Sequence, residues 1–142
     1  MKLTRLQGWE QRFDALFAHY LRAPFVWGEN DCLIAVADVI ECLSGFHPMT
    51  KWIKKYSNEE EANLLLKTYA DGSLEPVFEG LFPVYNLNFA ARADVGIATF
   101  DGREFCGFVG PNGRDFFIRH VDGGLKAYPI PRIRNLRLWR VE

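Results

Sequence analysis

The sequence predicts an α+β protein, in which a helical N-terminal half packs on a small antiparallel β-sheet formed by the second half. Two observations predict this class. Apolar residues in the first half recur every three or four positions, which is the spacing of amphipathic helices. The second half instead contains short β-rich runs separated by turn signals such as Asp101-Gly102.

The length of 142 residues fits one domain, with a helical part over about 1–83 and a β-meander over about 91–142. No internal repeat or low-complexity tract divides the chain. We therefore treat residues 1–142 as a single folding unit with one core, which the hydrophobic content of 49% can supply.

Four helices are expected in the first half. The first lies in "LQGWEQRFDALFAHYL" before Pro24, and its apolar stripe consists of Trp9, Phe13, Leu16, Phe17 and Tyr20. The second begins near Asp31 and ends at Ser44-Gly45, with one face formed by Cys32, Val36, Val39 and Leu43. The third starts after Ser57, with Glu60 and Glu61 nearby, and runs to Asp71-Gly72. A shorter fourth helix opens at Ser73 and is closed by Pro83.

Five strands are expected in the second half, each bounded by Gly, Pro, Asn or Asp. They lie in "ADVGIATF", "REFCGFVG", "RDFFIRHV", "GLKAYPI" and "NLRLWRVE". Short connections between consecutive strands favour an antiparallel meander.

Composition excludes several classes of protein. The net charge of −1 argues against nucleic-acid binding, and the six Arg and one Lys from Pro111 onward are interpreted as solvated strand faces. Three cysteines without CxxC spacing favour neither a zinc site nor a disulfide scaffold, and no metal or cofactor is expected. The N-terminus lacks a signal peptide, and no segment has the length of a membrane span, so synthesis in a reducing cytoplasm is expected.

Cys32 is the first candidate for chemistry. It opens the second helix after the polar segment "GENDC", and Asp31 is the natural N-cap. Unpaired backbone N–H groups and the helix dipole stabilise a thiolate at such a position. The alternative is a buried free cysteine that opens a core helix. The residues alone leave both interpretations open.

The block around Cys32 resembles the nucleophile motif of NlpC-type papain-like cysteine hydrolases. It resembles most closely the compact NlpC-like proteins encoded among phage tail genes. Matching pieces follow in the family's order through most of the chain. They are "PFVWGENDC", "AD" at 37–38, "GFHP" at 45–48, "YS" at 56–57, "ARADV" at 91–95, "GFVG" at 107–110, "GL" at 124–125 and "WRV" at 139–141.

The resemblance implies a phage tail-tip protein, a cysteine hydrolase that cleaves peptidoglycan stem peptides when the phage penetrates the cell. Its partners would be other tail-tip proteins, such as a hub or a central fibre, and its location the bacterial cytoplasm and then the virion. The alternative is a catalytically degenerate domain with a structural role in tail-tip assembly. The intact block "WGENDC" favours the enzyme, because no structural requirement is expected to demand the whole string.

The resemblance also reveals one departure from the family pattern. The proton-accepting histidine of active members falls at Cys106, and a thiol does not shuttle protons near neutral pH as imidazole does. Cys106 would face the same cleft as Cys32, where only oxidation would join the two by a disulfide. This departure favours the degenerate alternative.

His120 is the candidate replacement for the missing base, because it lies near the family's third polar position on the next strand. The alternative is a solvent-exposed strand residue. Trp27 is either a cleft wall or a core residue, whereas Asn30 and Asp31 are expected to support the cleft. Cys42 is predicted to lie in the core, away from Cys32.

Overall fold

The structure is a computed structural model that describes residues 3–70, 72, 75–79, 84–85, 89–122 and 124–142. It confirms the α+β class. The helices are α1 (Trp9–Tyr20), α2 (Cys32–Ser44), α3 (Glu59–Ala70) and α4 (Glu75–Glu79), with 3₁₀ turns at Thr50–Trp52 and Ile130–Arg132. The strands are β1 (Val84–Tyr85), β2 (Val95–Phe100), β3 (Arg103–Val109), β4 (Asp115–His120), β5 (Gly124–Pro129) and β6 (Leu136–Trp139).

The six strands form one antiparallel sheet in the order β1-β6-β2-β3-β4-β5. All five predicted strands are confirmed, and β1 is an addition. The meander prediction is correct only for β2 to β5, since β6 pairs with β2 instead of following β5 at the edge. The reason is burial: β6 places apolar side chains against both faces of the sheet, whereas β5 exposes Lys126 and Ala127.

Helix α2 is the centre of the helical layer. Nearly its whole circumference is buried, because α1 covers one side and β3 the other. The predicted stripe of four residues was therefore too narrow. Gly45, with φ of 81°, ends the helix in the left-handed conformation that glycine adopts without strain.

The remaining helix predictions need two adjustments. The N-cap of α3 is Asn58, which accepts from the Glu61 N–H at 2.8 Å, while Ser57 bonds the Glu61 carboxylate. The short fourth helix is confirmed as α4, but its predicted limits at Ser73 and Pro83 lie outside the described residues.

Apolar residues fill both faces of the sheet. The helix-side cluster includes Phe13, Val36, Ile40 and Phe108, and the cluster on the opposite face includes Phe116. In the described part of the chain, no helix is both long and apolar enough to cross a membrane.

Candidate functional site

A cavity of about 920 Å³ opens between the start of α2, helix α3 and one end of the sheet. Its volume lies in the range of small-molecule and peptide sites. The walls carry the aromatic side chains Phe25, Trp27, Trp52, Tyr56 and Phe105. Cys32, Arg119 and His120 also line it. The structure therefore places the predicted Trp27, Cys32 and His120 around one space.

The loop before Cys32 is held by its own polar side chains. Asn30 accepts from the Val26 N–H at 2.6 Å and donates to the Pro24 carbonyl at 2.8 Å, so it closes the loop on itself. Gly28 has φ of 77°, and a Cβ there would lie 2.3 Å from the Tyr56 carbonyl oxygen. Only glycine fits this close approach.

Asp31 is the N-cap of α2, as predicted, and is 1% exposed. Its Oδ1 accepts from the Leu33 and Ile34 N–H groups at 3.1 Å each, and its Oδ2 accepts from the Gly28 N–H at 2.7 Å. The N–H groups expected to stabilise a thiolate are thus already satisfied by a carboxylate. The structural requirements of Gly28, Asn30 and Asp31 explain most of "WGENDC" without any chemistry, contrary to the argument that favoured an enzyme.

Cys32 is the first residue of α2 and is partly exposed to the cavity. Its side chain packs against the helix-side core. The neighbouring thiol belongs to Cys106, on the helix-facing side of β3 and completely buried. A side-chain hydrogen bond with Cys32, and then burial, raise the pKa of Cys106 well above its ordinary value. Cys106 is therefore a protonated thiol at neutral pH and does not serve as a base.

Tyr56 completes the buried polar group, and sequence reasoning missed it. Its side chain is 4% exposed, and it lies near enough to Asp31 for that carboxylate to act on its hydroxyl. Burial and then the Asp31 charge raise its pKa far above the ordinary tyrosine value. The only signal in the sequence was the Tyr56-Ser57 pair, to which no role was assigned.

His120 lies on the opposite side of the sheet from Cys106. Phe117 packs with the helix-side core, and residues of a strand alternate between faces, so His120 points to the other side. Its Nε2 lies 2.9 Å from the Tyr128 hydroxyl, and its ring is 5.7 Å from that of Phe105. His120 therefore lines the cavity from the face of the sheet opposite Cys106, and its imidazole bonds Tyr128.

Arg119, on β4, faces the loop between α1 and α2 that precedes Cys32. It is 3% exposed, and its guanidinium donates to the carbonyls of Tyr20 (3.1 Å), Ala23 (2.6 Å) and Asn30 (2.5 Å). Burial lowers its pKa from the ordinary arginine value, with opposing contributions from Tyr20 and Asp31. The interpretation of the C-terminal arginines as solvated strand faces is wrong for this residue.

The other histidines take structural positions. His19 is exposed on α1, and His47, in the segment that follows α2, bonds the Asp38 carboxylate at 2.9 Å. Neither is part of the Cys32 environment.

Cys42 is half-buried beside the Arg12 carbonyl, with its Sγ at 3.6 Å. It therefore lies at the contact of α1 and α2, not in the core as predicted, because α1 covers only part of its side chain. Within the described ranges, no three His, Cys, Asp or Glu side chains are grouped to hold a metal ion.

The family model described as a domain of unknown function (DUF6950) matches residues 4–141. Comparisons with curated proteins and with solved structures found no match. The chain belongs to this family, whose model spans both the helical and the β half.

Proposed function

We propose that this protein is a catalytically degenerate NlpC-like domain, with a structural role in the tip of a phage tail. The observation that carries the proposal is the pair of thiols: Cys106 stands against Cys32 where an active member would hold an imidazole. Without a base, Cys32 lacks the group that would accept its proton and return it to a leaving amine.

The position of His120 supports the loss of chemistry. A dyad requires the imidazole within hydrogen-bond reach of the thiol. His120 instead bonds Tyr128 across the sheet face opposite Cys106. Arg119, which does face the loop, is a permanent cation and accepts no proton.

The cavity supports a retained binding role. Its aromatic walls and its rim charges, which include the Arg103–Glu59 ion pair at 2.6 Å, suit an extended polypeptide with mixed side chains. We infer that a segment of a neighbouring tail-tip protein, a hub or a central fibre, occupies it. The protein would be made in the bacterial cytoplasm and then carried in the virion.

A second candidate is the hydrolase itself, acting on peptidoglycan stem peptides. It is favoured by one observation, the exposure of Cys32 to the cavity at the first turn of α2. The two candidates differ in whether Cys32 is needed for turnover.

The experiment is a peptidoglycan digestion that measures newly released amino groups for the wild type and for Cys32→Ala. We expect both proteins to match the buffer blank, because none of the histidines in the described part of the chain bonds the Cys32 thiol. Release by the wild type that Cys32→Ala abolishes would overturn the structural role and establish the hydrolase.

A second arm tests assembly in a phage that carries the gene. Cys32→Ala is expected to give complete, infectious tails, whereas the double variant Trp27→Ala/Trp52→Ala loses the cavity walls and is expected to arrest assembly. Thermal unfolding of both purified proteins controls for loss of the fold. Infectious tails from a folded double variant would contradict the proposed use of the cavity.

A further inference from the structure

The two thiols at the centre of the molecule form a pair with unequal access. Cys32 opens α2 and is partly exposed to the cavity, whereas Cys106 is 0% exposed in the middle of β3. Cys32 packs against the core cluster that contains Cys106, because α2 packs directly on β3.

We propose that Cys32 and Cys106 are a peroxide-responsive modification site, in which Cys32 is oxidised first and Cys106 resolves it as an intramolecular disulfide. This inference rests on the packing of Cys32 against the core cluster that holds Cys106 and on the unequal exposure of the two thiols, and it does not require the proposed tail-tip function.

The chemistry follows from the access of each sulfur. The Cys32 thiol gives up its proton and its sulfur attacks one oxygen of hydrogen peroxide, so the O–O bond breaks and Cys32 sulfenic acid and hydroxide form. The proton that left Cys32 converts the hydroxide to the first water. The Cys106 sulfur then attacks the Cys32 sulfur and displaces the sulfenic oxygen as water, with its own proton released to that leaving group. In total, two thiols and one peroxide give one disulfide and two waters.

The order of events cannot be reversed in this fold. A peroxide in the cavity meets Cys32, while the core packing of Phe108 and its neighbours shields Cys106. The burial that raises the pKa of Cys106 also keeps it as a thiol until a sulfenic acid forms beside it. Cys106 therefore fits the resolving role and not the role of the first target.

The disulfide would join the start of α2 to the middle of the sheet. It closes a long loop between residues 32 and 106, which restricts the unfolded chain. Oxidation is therefore expected to raise Tm by on the order of 5–10 °C.

The test treats the reduced protein with hydrogen peroxide and measures its intact mass and a non-reduced peptide map. We expect the wild type to lose about 2 Da, to show a 32–106 cross-link, and to return to the starting mass with dithiothreitol. Cys42→Ser is the matched control, because Cys42 lies at the α1–α2 contact, and it is expected to behave as the wild type.

Two further variants separate the roles. Cys106→Ser, or Cys106→Ala if the serine hydroxyl destabilises the core, should accumulate a Cys32 sulfenic acid that dimedone traps. Cys32→Ser should leave residue 106 unmodified. The inference is overturned if the wild type forms Cys32 sulfinic acid without a cross-link, if the cross-link involves Cys42, or if Cys106 is modified in Cys32→Ser.

Discussion

Arg119 and His120 are neighbours in the sequence, yet they belong to opposite faces of β4. Arg119 is buried on the helix side and holds three carbonyls of the loop between α1 and α2. His120 is half-buried on the other side and bonds a single hydroxyl, that of Tyr128. Side chains along a strand alternate between the two faces of the sheet. The position of a residue in the strand therefore decides whether it can reach Cys32, even when its side chain has the right chemistry.

The two faces also differ in what their polar groups stabilise. On the helix side, Arg119, Asp31 and Tyr56 fix the segment that carries Cys32, and all three are nearly inaccessible to water. On the opposite side, His120 sits at the margin of an apolar cluster. Substitutions on the helix side should therefore cost stability, and those on the other side should cost little.

The largest effect is expected from Arg119→Met. It removes three charge-assisted hydrogen bonds and leaves one buried and two partly buried carbonyls without this donor, so the free energy of unfolding should fall by about 3 kcal/mol. Urea denaturation measures the change. The matched control is Arg114→Met. Arg114 immediately precedes β4 and is exposed, so this change should alter stability by less than about 0.5 kcal/mol. Equal effects for the two variants would show that the guanidinium contacts are not the anchor of the loop.

An intermediate effect is expected from Gly28→Ala. Both Gly28 and Gly102 have φ of 77°, but only Gly28 has a backbone atom against its missing Cβ, whereas nothing lies within 4 Å at Gly102. Gly102→Ala should therefore cost about 1 kcal/mol, from the left-handed conformation alone. Gly28→Ala should cost about 1 kcal/mol more than that, from overpacking against the Tyr56 carbonyl. Identical losses in chemical denaturation would refute the close approach.

The smallest effect is expected from His120→Gln. Burial, and then the charge of Lys126, lower the pKa of His120, while Asp122 opposes them. The folded protein therefore binds this proton less tightly than the unfolded chain, and the unfolding free energy rises with pH up to the unfolded value of about 6.5. As the pH falls below that value, the wild type should lose slightly more stability than His120→Gln.

The same variant tests the separation of the two faces. The rate at which iodoacetamide alkylates Cys32 should be unchanged in His120→Gln, since the imidazole does not contact the thiol. A severalfold drop in this rate would contradict the separation of His120 from Cys32. A larger loss of stability at low pH in His120→Gln than in the wild type would contradict the lowered pKa of His120.

The positions of α1, α2 and the strands β2 to β6 could be predicted from the sequence, because helix periodicity, capping and turns depend on residues that are close together in the chain. Apolar periodicity gave α1 and α2, Asp31 gave the start of α2, and the turn residues separated the strands. The resemblance predicted that Cys106 faces the same cleft as Cys32, which is wrong: Cys106 is completely buried in the core cluster and does not line the cavity. Arg119 and Tyr56 were missed, since nothing local distinguishes a buried arginine or tyrosine from an exposed one.

By itself, the sequence determined where α1, α2 and the strands β2 to β6 lie and placed Cys32 at a helix N-terminus, because capping and periodicity act over a few residues. Only the tertiary structure decided the insertion of β6 beside β2, the face on which His120 lies, and the thiol that meets Cys32. These depend on pairing and packing between residues as far apart as 32 and 106. The packing of α2 on β3 places the buried thiol of Cys106, and not the imidazole of His120, near the cysteine of "WGENDC".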